Sequence, residues 1–340
     1  MPRPKPDPSK PNPSKRVTLQ DVAKAAGLHV MTVSDAFSGA RPVSEATREK
    51  VKRIAKELNY VPNSAARALA TGRTGIIAVM AGPLDEPYFA TLIRHLGLKL
   101  NAEGYRILLT PTEVSDLIDA VGNTAIDGAI AIDRHDLIEQ FQKHSPTPCV
   151  SIGTHEWPFV DNVIVDMTQG IQGAMEIIFA AGRQRVAYLA TAQHLAAETE
   201  TRAHAYFTAI TAAGLSPEVI NLETNDFSEG ETRLRDYLAR NGHPEALLCQ
   251  NDECAMSAFR VLRELGHRVP DDVMLVGCDG QRHMKYFDPP LSTVAQPLEQ
   301  MAATAWQFLK NRMATPSLPL QHTVLYGELV VRDSLTAPAT

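Results

Sequence analysis

Apolar positions recur at helical spacing in three short bursts after Val17. LQDVAKAAG follows Thr18, a residue able to cap a helix, with Asp21 in the first turn and Gly27 as a stop. Leu28 to Thr32 is a short turn into a second helix ending at Gly39. Ser44 opens a third, SEATREKVKRIAKELNY, whose Val51, Ile54, Ala55 and Leu58 form one buried stripe, with Pro62 as the breaker. A fourth segment, NSAARALATG, has strong helix formers but too little apolar surface to fold alone. Beyond Gly75 the texture changes. Apolar runs at 75–80, 105–110, 128–132, 148–153, 185–190, 246–251 and 273–279 alternate with amphipathic helical segments. The runs are continuous rather than alternating, so both faces of each sheet are covered, as in parallel α/β sheets. About 265 residues exceed what one core ordinarily holds, so two α/β lobes with a cleft between them are expected.

Charge divides the chain at the same place. The formal net charge is −6, but residues 1–73 carry +8 and residues 74–340 carry −14. A basic head before an acidic body points to an anionic partner for the head alone. Residues 1–16 hold six prolines and five basic residues, which predicts an extended arm without helix. No apolar run reaches about 18 residues, and the N-terminus lacks a secretory core, so neither a membrane span nor export is expected and the cytoplasm is the predicted compartment. Cys149, Cys249, Cys254 and Cys278 form no CxxC and lie in or beside apolar segments, as buried free thiols do. GxGxxG after a strand, GxxxxGK[ST], GxSxG and HExxH are absent, so catalysis is not expected and no cofactor is called for.

Leu19–Ala26, the turn Gly27-Leu28-His29 and Val30–Phe37 make a helix-turn-helix, with Ala23 and Ala26 keeping the helices close. Val22, Val33 and Ala36 can fill its core with Ile54 and Leu58. VTLQDVAKAAGLHVMTVSDAFSG and VSEATREKVKRIAKELNYVPNSAARALATGRTGIIAV resemble the LacI/GalR family of bacterial transcription regulators. The resemblance continues through CQNDECAMSAFRVLRELGHRVPDDVMLVGCDG and DPPLSTVAQPLEQMA and spans residues 17–334.

That resemblance implies a homodimer on palindromic operator DNA, with the second helix in the major groove. It implies a hinge helix whose Leu69, flanked by Ala66 and Ala70, wedges into the central base step. Thr18, Thr32, Ser34 and Asn63 match backbone-contacting positions, though each could equally be a helix cap. Val30, Met31 and Asp35 fall on base-reading positions; core packing is the alternative for the first two. Asp35 departs from the arginine or asparagine of many relatives; its alternative is to pair with a neighbour such as Arg41 or Lys24, or simply to tolerate the repulsion from phosphates. His29 stands where serine is frequent.

For the body the resemblance implies a periplasmic-binding-protein-like fold holding a small-molecule effector between the lobes. Arg202, Asn251 and Asp279 match ligand-binding positions, with Gln296 at the edge, Tyr88 and Phe89 at the first-lobe lip, and Trp157 as a stacking platform. An Arg202–Asp279 ion pair of purely structural purpose is the alternative. Glu86 replaces a usual asparagine, Gly153 stands where several sugar-responsive members carry an acid, and Gly280 follows Asp279 where a second acid or asparagine is common. The loop 110–128 looks short.

The expected organisation is an arm at 1–16, a helix-turn-helix domain at 17–61, a hinge at 62–73 and an effector-binding, dimerising body at 74–335. Its first lobe takes 74–153 and 281–312, its second 154–280 and 313–335. The expected function is a ligand-controlled repressor responding to a sugar or sugar derivative. A purine- or sugar-phosphate-responsive regulator is the alternative, and a transport-type sugar-binding protein is a remoter one.

Overall fold

The computed structural model describes residues 17–39, 41–61, 68, 72–110, 125–134, 137–138, 147–195, 200–224 and 226–335. It divides into two units, Met1–Gly75 and Ile76–Thr340. The proline-rich arm, most of the hinge and most of the loop 110–128 lie outside the described residues.

In the first unit, helices α1 (Leu19–Ala26), α2 (Val30–Ser38) and α3 (Glu45–Glu57) start and stop on local signals. Thr18 and Asp21 form a full capping box: Asp21 N–H donates to Thr18 Oγ1 at 3.3 Å, and Thr18 N–H donates to Asp21 Oδ2 at 2.8 Å. Gly27, at φ 63, takes the left-handed turn that ends α1. His29 caps α2 by accepting from Met31 N–H at Nδ1, 3.3 Å away. Ser44 caps α3 by accepting from Thr47 N–H. The third helix runs to Glu57 and is capped at Leu58, the last position of its apolar stripe, short of the Tyr60 that ends the expected segment. Asn59 is left-handed at φ 51, Asn59 N–H donates to Lys56 O and Tyr60 N–H to Ala55 O. This is a Schellman ending, so Asn59 and not Pro62 is the stop. Val22, Val33, Ala36, Val51, Ile54 and Ala55 are buried in the expected core, with Leu58 at its margin.

The second unit alternates strand and helix. Its strands are β1 (Ile76–Met80), β2 (Arg106–Leu109), β3 (Gly128–Ile132), β4 (Cys149–Gly153), β5 (Asp161–Asp166), β6 (Val186–Ala190), β7 (Glu218–Asn221), β8 (Ala246–Cys249), β9 (Met274–Asp279), β10 (Ser292–Ala295), β11 (His322–Tyr326) and β12 (Glu328–Val330). The helices used below are α4 (Pro87–Ala102), α5 (Thr201–Ala212), α6 (Asp252–Glu264) and α7 (Leu298–Ala314). Two six-stranded sheets result, ordered β11-β5-β4-β3-β1-β2 and β12-β10-β9-β8-β6-β7. The first is parallel throughout. The second is parallel except for β12, which runs antiparallel to β10. Strands β3, β4, β6, β8 and β9 are buried along their whole length, as continuous apolar runs require.

The lobe boundaries differ from those expected. β5 and β11 complete the first sheet, although both were assigned to the second lobe, and β10 belongs to the second sheet instead of the first. Helix α7 does pack on the first lobe, where Arg312 clasps buried Asp161 at 2.7 and 3.1 Å. The chain therefore crosses between lobes after β5, again after β10 and again between β11 and β12. Apolar patterning marks a strand but not the sheet edge it pairs with.

One close approach in the second lobe has a testable consequence. A Cβ at Gly277 would lie 2.2 Å from Asp252 Oδ1 and 2.9 Å from Met284 Cε. Asp252 is fully buried, accepting from Thr293 Oγ1 and Gln281 N–H, both at 2.6 Å. Gly277→Ala is expected to destabilise the body by about 1–3 kcal/mol through overpacking, read as a lower urea midpoint.

Candidate functional site

Two surfaces carry chemistry. On the head, Met31 is a large apolar side chain left 52% exposed, while Val30 is half-buried against the helical core. Val30 thus serves the core at least in part. Asp35, one turn beyond Met31, is half-buried and forms no ion pair among the described residues, so the suggested partners Arg41 and Lys24 are not used. The Thr18 hydroxyl donates to Asp21 Oδ2 at 2.7 Å. Its proton is spent inside the capping box, leaving an acceptor, which is the wrong polarity for a phosphate oxygen. Thr32 and Ser34 are half-buried on α2. Asn63, Ala66 and Leu69 lie outside the described residues.

In the body, a polar cluster forms where the second sheet's strands end. Glu200 caps α5 and accepts from Arg202 three times: from its backbone N–H at 3.0 Å, from Nε at 2.7 Å and from Nη2 at 3.0 Å. Arg202 Nη1 donates to Gln250 O at 2.9 Å and lies 3.8 Å from Asp279 Oδ1. Gln296 Nε2 donates to the same Asp279 oxygen at 2.7 Å. Arg202, Asp279 and Gln296 are therefore brought together as the sequence suggested. Asn251 is adjacent, but its Oδ1 caps α6 by accepting from Cys254 N–H at 2.9 Å, leaving its amide nitrogen for other contacts.

Electrostatics sharpen this picture. Burial alone would raise the Glu200 carboxyl, but the Arg202 charge and hydrogen bonds hold it at about 2. Burial drives His194 down to about 4, with Arg202 adding to the effect. His194 Nε2 shares a hydrogen bond with Tyr188 OH at 2.5 Å and turns Nδ1 toward Glu200, 3.6 Å away. Burial pushes Asp279 well above the usual carboxylate range, against the pull of Arg202. Across the cleft, burial and the charges of Glu253, Asp85 and Asp133 raise Glu86 to about 7. Asp133 is open to solvent, and the positive charge of Arg202 acts on its carboxyl from across the cleft.

At the first-lobe lip, Tyr88 OH donates to Asp133 Oδ2 at 3.2 Å. Phe89 is buried with its ring against Gly82, where a Cβ would sit 2.3 Å from the ring, so core packing accounts for it. Trp157 packs with His155 and Phe159 beside a small first-lobe core, which is likewise a packing role. Sequence reasoning missed Glu200, Gln250 and Asp133. Glu200 had a legible signal, an acid at the cap position two residues before Arg202. Gln250 acts through its backbone carbonyl and had none.

Among the described residues no helix is long and apolar enough to cross a membrane, and no cluster of His, Cys, Asp and Glu could hold a metal ion. All four cysteines are buried and free.

Residues 18–63 match the model of bacterial regulatory proteins of the lacI family, and residues 176–335 match a periplasmic binding protein-like domain. The chain is 32% identical over 337 residues to the HTH-type transcriptional regulator CelR of Thermobifida fusca, covering 94% of this chain and 98% of that protein. It is 30% identical to the HTH-type transcriptional repressor PurR of Erwinia tasmaniensis, covering 94% and 96%. Among solved structures it resembles a CelR–cellobiose complex at TM-score 0.66 and 28% identity, covering 94% of this chain and 100% of that one. It also resembles the Lac repressor dimer bound to operator and the anti-inducer ONPF, at TM-score 0.80 and 26% identity, covering 95% and 100%. A helix-turn-helix head, two alike-wound α/β sheets and near-complete alignment with these relatives agree: the chain belongs to the LacI family of bacterial transcription regulators.

Proposed function

We propose that this protein is a cytoplasmic, homodimeric repressor whose affinity for a palindromic operator is set by an uncharged, polyhydroxylated ligand held between the two lobes. The observation that carries the ligand class is the state of Arg202. Its charge is already met by Glu200, and Asp279 lies beside it. Among the described residues of the cluster, a phosphate or carboxylate would find the Arg202 charge already spent on Glu200. Glu253 Oε2 and Gln281 Oε1 are buried acceptors without a partner among the described residues, which favours a ligand rich in donors. A sugar fits this chemistry, as in the relative solved with cellobiose. The purine reading, suggested by the PurR relatives, needs an open aromatic face, and Tyr88 and Phe89 are both buried. A transport protein would have no use for the helical head.

On the head, Met31 and Asp35 are the base-facing candidates, with Val30 assisting. Thr32, Ser34 and Asn63 supply polar groups to phosphates, and Leu69 with Ala66 supplies the minor-groove contacts. A gel shift with an operator selected from random DNA, repeated with neutral sugars and sugar phosphates, tests both halves. Shifts relieved by a neutral sugar are expected; relief by sugar phosphate alone contradicts the ligand class. Two-fold operators require two-fold proteins. Light scattering at micromolar concentration is therefore expected to give twice the chain mass of 37.1 kDa, and a stable monomer with operator present contradicts the dimer.

A further inference from the structure

The two sheets of the body are wound alike. The run β5-β4-β3-β1-β2 in the first corresponds, position by position, to β10-β9-β8-β6-β7 in the second. In the second lobe the cleft acid is Asp279, the last residue of β9, on backbone at φ 109. The matching first-lobe strand is β4, and it ends in Gly153, which has no side chain to offer. Its neighbour fills the space: a Cβ at position 153 would sit 2.6 Å from Asp133 Oδ1. Asp133 directly follows β3, the strand paired with β4. It too stands on left-handed backbone, at φ 51. That conformation costs a non-glycine residue about 1–2 kcal/mol and persists where surrounding structure enforces it, often at functional sites. Asp133 remains open to solvent, and its one side-chain hydrogen bond among the described residues comes from Tyr88 OH. Accepting that bond alone would not require an acid, since asparagine could do the same.

We infer that Asp133 is the ligand-binding acid of the first lobe, the counterpart of Asp279, and that Gly153 is the space that admits it. The inference rests on the sensor reading above and adds a residue and a polarity to it. The ligand is gripped from both lobes by carboxyl acceptors at positive-φ strand ends, so it must present hydroxyl donors to both. An anionic group facing the first lobe is rejected.

Three variants test this in the full-length protein. Asp133→Asn keeps the size and an acceptor for Tyr88 but removes the charge. Gly153→Asp alone crowds two carboxyls into one space. Asp133→Gly combined with Gly153→Asp returns the carboxyl to the matching strand and relieves the left-handed aspartate. Calorimetric titration uses ribose and cellobiose as neutral probes and ribose 5-phosphate as the anionic one, with circular dichroism checking that each variant is folded. The neutral sugar that binds the native chain is expected to bind Asp133→Asn about 10- to 100-fold more weakly, the range of a hydrogen bond to a charged group. Gly153→Asp is expected to weaken binding as well, and the exchanged pair to restore most of the loss. Equal affinity of native chain and folded Asp133→Asn overturns the inference and leaves the sensor reading standing. Preference for ribose 5-phosphate over both neutral sugars overturns the inference. A native chain that binds none of the three overturns the sensor reading and this inference with it.

Discussion

Arg202→Ala is expected to destabilise the body by about 3–5 kcal/mol and to abolish the response to ligand, while the helical head stays folded. The magnitude follows from what is left behind. The Glu200 side chain is only 8% exposed and would lose its two guanidinium hydrogen bonds, keeping one backbone N–H. Gln250 O would lose its guanidinium donor, and Asp279 the positive charge 3.8 Å from its Oδ1. Removing one member of a buried ion pair strands the other, and this costs more than the pair contributes when intact. The double variant Glu200→Gln with Arg202→Ala should therefore recover part of the stability without recovering the response. The pH dependence has a definite sign. Glu200 is held at about 2 in the folded protein, below the roughly 4.3 of an unfolded glutamate. Its pairing thus stabilises the fold above about pH 4 and fades as pH falls toward 2. Urea midpoints of native protein and Arg202→Ala should differ most at neutral pH and converge in acid. Equal midpoints at pH 7 would show that the cluster contributes nothing to the fold.

Asp35→Asn is expected to change which operator the protein selects. An acid facing DNA is repelled by phosphates, so its presence calls for a compensating contact. The internal alternative was an ion pair with Arg41 or Lys24, and neither forms among the described residues. A carboxylate in the major groove can accept from cytosine N4, whereas asparagine pairs with adenine N6 and N7. The variant should shift one symmetric operator position from cytosine toward adenine, with about 1–3 kcal/mol of discrimination at that base pair. Operators selected from a random library by both proteins give the answer. An unchanged consensus with uniformly higher affinity would mean that Asp35 reads no base and only weakens binding.

Much of this was legible in one dimension, for a physical reason. Helix caps and stops are contacts between residues three to five apart, so Thr18, Gly27, Ser44 and the apolar stripe of α3 could be read directly. Even there Pro62 was the more conspicuous breaker, while Asn59 ended the helix through its backbone. Burial on both faces made β1, β3, β4, β6, β8 and β9 readable as apolar runs, whereas the interior strands β5 and β10, which begin with the polar pairs Asp161-Asn162 and Ser292-Thr293, went unread. The short edge strands β7, β11 and β12 carry exposed positions and lacked that signal.

By itself, the sequence determined a basic helix-turn-helix head and an α/β body of two sheets, which follow from local spacing, charge distribution and motif. Arg202, Asp279 and Gln296 were singled out only through the resemblance to the LacI/GalR family. Only the tertiary structure decided which sheet β5, β10 and β11 join, because a strand's partner is set by long-range pairing that its own pattern does not record. Only it showed that Arg202 is already neutralised by Glu200, and that Phe89 and Trp157 are occupied in packing. Asp133 shows the difference most plainly. Gly153 read in isolation is an acid missing from the ligand site, but two strands lying side by side let a neighbour's carboxyl occupy its space. Which side chain fills a given volume depends on every element around it, and that is settled only when the chain has folded.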